Sequence, residues 1–263
     1  MARGGTKKEP AARRPLPAPL PPPLPPESRT VGQLVAETIR VYQHSPFRSL
    51  AIGVLPGLVG VVAAELSGWH RYLLAVVGAP VFTLSYVCAV GIVTGAPVRG
   101  RAAAQAFIAG VLTYIPFPFL ALLFLLPGLA WFALLGLVVP VAQVEGLSLR
   151  DSFARAQRLG RADFLHAFGG LCALTITVVL SQGVVFYLLR GFADNAAPTA
   201  ASLAGIAFSP LLFLGAVVLY GDQVARVGSQ GRRSRRRDAD LPDADHAHRE
   251  GRSDAQVEPG PAS

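Results

Sequence analysis

The chain has 263 residues, of which 52% are hydrophobic and 15% charged, with a net charge of +8. An average soluble domain carries roughly 25% charged residues; here the apolar residues are gathered into long runs, which excludes an ordinary soluble fold and indicates an integral membrane protein. The basic balance does not indicate nucleic acid, because the arginines flank apolar segments as topology signals do and no aromatic stacking residues interleave with the RRSRRR run of the tail.

Residues 1–28 form a low-complexity arm. Its run PLPAPLPPPLPPE, Pro15 to Glu27, enters neither helix nor sheet, because proline lacks the amide donor and fixes φ. The arm is expected to be disordered, with a stiff polyproline II stretch acting as a spacer. It contains no apolar core of a secretory signal.

A helix is predicted from Thr30, where Thr30 and Gln33 form a capping box. Val31, Leu34, Val35, Thr38, Val41 and Tyr42 share one face, and Gln33, Glu37, Arg40 and His44 the other. Pro46 stops it. The segment is too short and too polar to span, so it is expected to lie on the membrane surface.

Six spanning segments are predicted after it, over residues 47–66, 71–95, 104–125, 128–145, 163–189 and 200–224. The third and fourth are separated by a turn expected at Pro127 and Gly128, since one helix of that combined length would overshoot the bilayer. Residues 104–145 also admit a kinked or re-entrant arrangement. Basic and poor loops alternate along these six crossings. The arm carries Arg3, Lys7, Lys8, Arg13, Arg14 and Arg29; the second loop Arg99 and Arg101; the fourth Arg150, Arg155, Arg158 and Arg161; and the tail a cluster from Arg226 to Arg237. The first and fifth turns hold one arginine each, Arg71 and Arg190, and the third none. The positive-inside rule then predicts both termini on the cytoplasmic side of the plasma (inner) membrane. The tail, residues 227–263, is polar and charged and is expected to be disordered. Cys88 and Cys172 lie in apolar segments and read as buried thiols rather than a disulfide.

Between the fourth and fifth spans the sequence VEGLSLRDSFARAQRLGRADF, Val144 to Phe164, is conspicuously charged. Ser148 and Asp151 make an S-x-x-D helix start. Leu149, Phe153, Ala156 and Leu159 share one face; Asp151, Arg155, Arg158 and Arg161 the other; and Gly160 is expected to stop the helix. This is a second amphipathic helix, its apolar face set at the acyl boundary or against the bundle. Glu145, Arg155, Arg158 and Arg161 are the candidate interfacial or lipid-headgroup contacts.

The string VVPVAQVEGLSLRDSFARAQRLGRADF resembles the membrane domain of bacterial glycerophosphodiester phosphodiesterases and of related stand-alone membrane proteins. Glu145 and Gly146 match the acidic residue and glycine that close one span of that domain. Arg155, Leu159, Arg161 and Phe164 match its following cytoplasmic helix, whereas Ala156 and Ala162 stand where a serine and a glycine are usual. The stretch TVGQLVAETIRVYQHSPFRSL, from Thr30, is similar to its entry helix, so the likeness covers about residues 30–225. It implies a helical bundle linked to lipid or envelope metabolism.

Catalytic chemistry is not in evidence in the sequence. A phosphodiesterase barrel would need some 250 further residues, and no H-E-x-x-H, P-loop or G-x-S-x-G occurs. The spans lack central ionisable residues; Glu65, Glu145, Asp163, Arg190 and Asp222 all fall near ends. Mid-span Thr83, Ser85, Thr177, Ser181 and Ser209 read as helix–helix hydrogen bonds. The spacings Gly53/Gly57 and Gly91/Gly95 read as close helix contacts. Prolines such as Pro56, Pro80 and Pro118 either kink helices around a cavity or are merely tolerated.

The expected fold is therefore all-α, a polytopic membrane bundle of about six transmembrane helices plus two interfacial helices in a domain spanning 29–226. The expected function is a non-catalytic accessory or scaffolding module. The alternative is a small permease or lipid-handling protein with a cavity between hairpins. Expected partners are membrane lipids and a membrane protein or second copy of the chain, with no nucleic acid, cofactor or metal.

Overall fold

Apolar runs of this length, bounded by glycine and proline, have one way to satisfy their backbone inside lipid, which is to close hydrogen bonds within each segment as helix. In the computed structural model, which describes residues 25–189 and 196–254, the regular structure is helical and no strand occurs among those residues. The helices are α1 (Val31–His44), α2 (Pro46–Glu65), α3 (Trp69–Val77), α4 (Ala79–Thr94), α5 (Arg101–Tyr114), α6 (Phe117–Leu123), α7 (Leu125–Leu135), α8 (Val138–Pro140), α9 (Leu149–Ala162), α10 (Phe164–Leu189) and α11 (Ala196–Asp254). Val141–Glu145 continues α8 as one π-helical turn. Most of the Pro-rich arm, the turn at Arg190 and the last nine residues of the tail lie outside the described residues.

Five stretches are long and apolar enough to cross a membrane: Pro46–Ala63, Arg101–Leu120, Leu125–Glu145, Phe164–Leu189 and Leu203–Ser234. A sixth is formed if α3 and α4, bent by 44° at their junction, count as one span. The chain is thus an all-α polytopic membrane bundle. The bend falls at Gly78, ahead of Pro80 in the first turn of α4, where proline is tolerated because its missing amide has no partner to lose.

Four details differ from the sequence reading. The third and fourth spans part at Phe124, which is extended at φ −171° and ψ 154°, and not at Pro127 and Gly128. Pro127 sits in the first turn of α7, which it can enter for the reason that Pro80 enters α4. Gly160 does not stop α9, which runs on to Ala162. A Cβ on Gly160 would lie 2.6 Å from the Ala133 carbonyl, so this glycine lets α9 press against the backbone of α7. Of the two G-x-x-x-G spacings, Gly53/Gly57 is a close helix contact: Cβ atoms there would stand 2.0 Å and 2.2 Å from Ile206 in α11. Gly91/Gly95 is not, because Gly95 ends α4 at φ +72°, a conformation that favours glycine. Finally, α1 packs against α10 and α11 with Leu34 wholly buried, instead of lying with its apolar face in lipid.

The capping box of α1 forms as the sequence implies, with the Thr30 side chain accepting from the Gln33 amide. At the other end, α11 continues as helix through the arginine run to Asp254. Residues 230–234 are exposed. The core lies between α4, α7, α8, α10 and the middle of α11, around Tyr86, Leu137, Leu174 and Leu219.

The position of the break is testable by thiol labelling in a background with Cys88 and Cys172 replaced by alanine. Phe124 is 77% exposed whereas Gly128 is buried. A membrane-impermeant maleimide added to intact cells should label Phe124→Cys and spare Gly128→Cys. Labelling at 128 alone would restore the turn at Pro127 and Gly128.

Candidate functional site

Two regions concentrate the polar and cavity-forming features, and they sit at opposite ends of the spans. The first begins with Glu145 at the end of the π-helical turn. Arg155 of α9 places its Nε 3.3 Å and 3.4 Å from the two Glu145 carboxylate oxygens. The Tyr220 hydroxyl of α11 donates to Oε1 at 3.1 Å. Arg155 thus approaches through one nitrogen rather than as a two-pronged fork. The reason for the register is local: Ser148 caps α9 by accepting from the Asp151 amide, which fixes Arg155 nearly two turns into the helix and over Glu145. Arg158 donates to the Ala154 carbonyl of its own helix, and Arg161 is exposed in the last turn. Of the sequence-predicted contacts, the structure joins Glu145 and Arg155 and leaves Arg158 and Arg161 on the outer face.

A larger ionic knot lies beside it, and the sequence reading did not assemble it. Asp222 of α11 has no exposed side-chain surface, and Arg29, just ahead of α1, donates to its Oδ1 at 2.5 Å. His166 Nε2 stands 3.8 Å from Asp222 Oδ2. One turn along α11, Arg226 donates to Asp163 Oδ2 at 2.7 Å and to the Arg29 carbonyl at 2.6 Å. Asp163 also caps α10 through Oδ1, which accepts from the His166 amide at 3.2 Å. Gln223, fully buried, donates to the Asp163 carbonyl at 3.1 Å. The spacing of Asp222 and Arg226 by four residues was a visible signal, since it puts both on one helical face. Their partners, 193 and 63 residues away, were not.

At the opposite end, where α3 begins, a cavity of about 800 Å³ opens between α2, α3, α7, α10 and α11. Its walls are mainly apolar, among them Pro56, Leu74, Phe132 and Leu171, with Thr175, Gln182 and Ser209 adding polar atoms. Ser209 Oγ is buried without a hydrogen-bond partner. Most of the other mid-span hydroxyls bond to their own helix: Thr83 to Ala79, Thr177 to Ala173 and Ser181 to Thr177. Ser85 alone of these reaches across, to the Ile52 carbonyl at 3.0 Å. Pro56 does line a cavity, as one of the two sequence readings anticipated.

The cavity borders the contact between α2 and α11. They touch at Gly53 and Gly57, yet one turn further a Cβ on Gly60 would meet nothing within 4 Å. Among the described residues no three His, Cys, Asp or Glu side chains converge as a metal site would require. No protein-family model, curated protein or solved structure matches the chain.

The ionic knot carries a stability prediction. Removing one partner of a buried pair strands the other charge and costs about 3–5 kcal/mol, whereas part-exposed pairs contribute about 1 kcal/mol or less. Asp222→Ala should therefore lower the thermal stability of the detergent-solubilised protein far more than Glu145→Ala, whose partners are part-exposed. Equal losses would show that Asp222 is hydrated.

Proposed function

We propose that the chain is a non-catalytic multi-pass membrane protein that holds a membrane lipid in the cavity between its helical hairpins, serving lipid or envelope metabolism as an accessory module. The cavity carries this reading. Its volume of about 800 Å³ falls within the roughly 300–1,000 Å³ of ligand pockets. An apolar chamber at membrane depth is filled most readily by the acyl chains that surround it. The resemblance of the Val138–Phe164 region to the membrane domain of glycerophosphodiester phosphodiesterases is consistent with lipid metabolism. The arginine-rich arm, second and fourth loops, and tail support both termini lying on the cytoplasmic side of the plasma membrane. The cavity then faces the outer leaflet.

The test is lipid content. Protein purified in mild detergent should carry tightly held lipid, detectable by native mass spectrometry. Gly60→Phe, placed where a side chain enters open space beside the cavity, should fold and lose most of that lipid. Retention equal to wild type would remove the cavity from the function. Purified wild-type protein should also leave glycerophosphodiesters intact; turnover that persists through repurification would make it an enzyme.

A further inference from the structure

We propose that the lipid is a phosphate-bearing, two-chain lipid, with its phosphate on the Arg71 guanidinium and one acyl chain in each of two apolar chambers that meet there. The inference rests on the lipid-holding reading of the cavity and names its ligand class. A second chamber of about 320 Å³ adjoins the first, lined by Tyr72 and Pro118. The two share Arg71, Ala75, Phe82, Tyr114 and Phe117, so they converge on one seam. Arg71 is the one charged residue in either lining, among the described residues.

Arg71 is built for such a role. It lies in the first turn of α3, next to the chain reversal that ends α2. Its Nε donates to the Leu66 carbonyl at 2.5 Å, which fixes the stem of the side chain to the turn. The terminal nitrogens then remain for a planar, two-pronged contact with phosphate oxygens, the geometry that arginine provides and lysine does not. The depth is also appropriate. Trp69 is 63% exposed and Tyr72 is 38% exposed, and such aromatics settle at headgroup level. A phosphate bound at Arg71 would thus stay at the interface while both tails run inward along apolar walls. Two chambers flanking one cation match a headgroup with two chains; a fatty acid or lysolipid would leave one chamber empty.

The experiment uses the full chain, delipidated in mild detergent and titrated under native mass spectrometry with three probes: dioleoyl phosphatidylglycerol, dioleoylglycerol with the same chains and no phosphate, and lysophosphatidylglycerol with the same headgroup and one chain. Wild type should bind the first about tenfold more tightly than the second, about the factor that one charge-assisted contact provides, and more tightly than the third, which leaves one chamber empty. Arg71→Gln should bring dioleoyl phosphatidylglycerol down to the dioleoylglycerol level, and Arg71→Lys should restore part of the preference. Equal binding of the phosphate-bearing and phosphate-free probes by wild type would overturn the Arg71 assignment, whatever the variants do, and leave the cavity reading standing. Lysolipid bound as tightly as the two-chain lipid would overturn the two-chamber assignment. Should none of the probes bind better to wild type than to Gly60→Phe, the lipid-holding reading itself fails.

Discussion

A carboxylate deprived of all contact with water must be answered by a cation, and Asp222 imposes that requirement on the basic end of this bundle. Arg29 answers it from a position just ahead of α1, nearly two hundred residues away in sequence. That contact pins the entry of the N-terminal helix to the middle of α11. Arg226 doubles the tie by bonding both the Arg29 carbonyl and Asp163, the cap of α10. Three elements that are remote in sequence are thereby held at one point, and α1 is drawn onto α10 and α11 with Leu34 and Thr38 buried beneath it. Its amphipathic face is consumed by protein.

Away from this knot the architecture is set by small residues. In lipid there is little hydrophobic drive between helices, so close packing decides which of them meet. Gly53 and Gly57 let α2 reach the backbone and side chain of Ile206, and Gly160 lets α9 lie on α7. Gly60, by contrast, meets nothing and lies on the cavity wall. Contact and cavity thus lie along the same helix, α2, within two turns of each other. The bend at Gly78 carries α3 away from the line of α4 and brings Arg71 to the cavity wall. The two ends of the molecule accordingly differ in chemistry: one is tied by ion pairs, and the other holds the apolar cavity with Arg71 on its wall.

Much of the helical pattern was legible in the residues. Apolar run length identifies segments that cross a bilayer, because the hydrocarbon thickness admits about 20 residues per helix. Caps are equally local. Thr30 with Gln33, and Ser148 with Asp151, are read within four residues and are formed as read. The face of α9 that carries Ala156 and Leu159 follows from the 3.6-residue period, and both residues are buried. Glu145 and Arg155 could be paired as candidates because ten residues and one turn separate them.

What the sequence by itself determined is the set of properties that depend on a few neighbouring residues: helix, apolarity, capping and the periodic face. Only the tertiary structure decided what each face meets. Gly160 and Gly95 look alike in sequence, yet one is a contact inside a helix and the other a left-handed stop, because a glycine serves either purpose and the neighbours choose. Phe124 broke the third and fourth spans where Pro127 looked the better candidate, since proline fits the first turn of a helix as readily as it ends one. The partners of Asp222 and the meeting of two chambers at Arg71 come from elements far apart along the chain. Pairings at such separations leave no periodic trace in the sequence, because they are fixed by how helices cross and not by how each one winds.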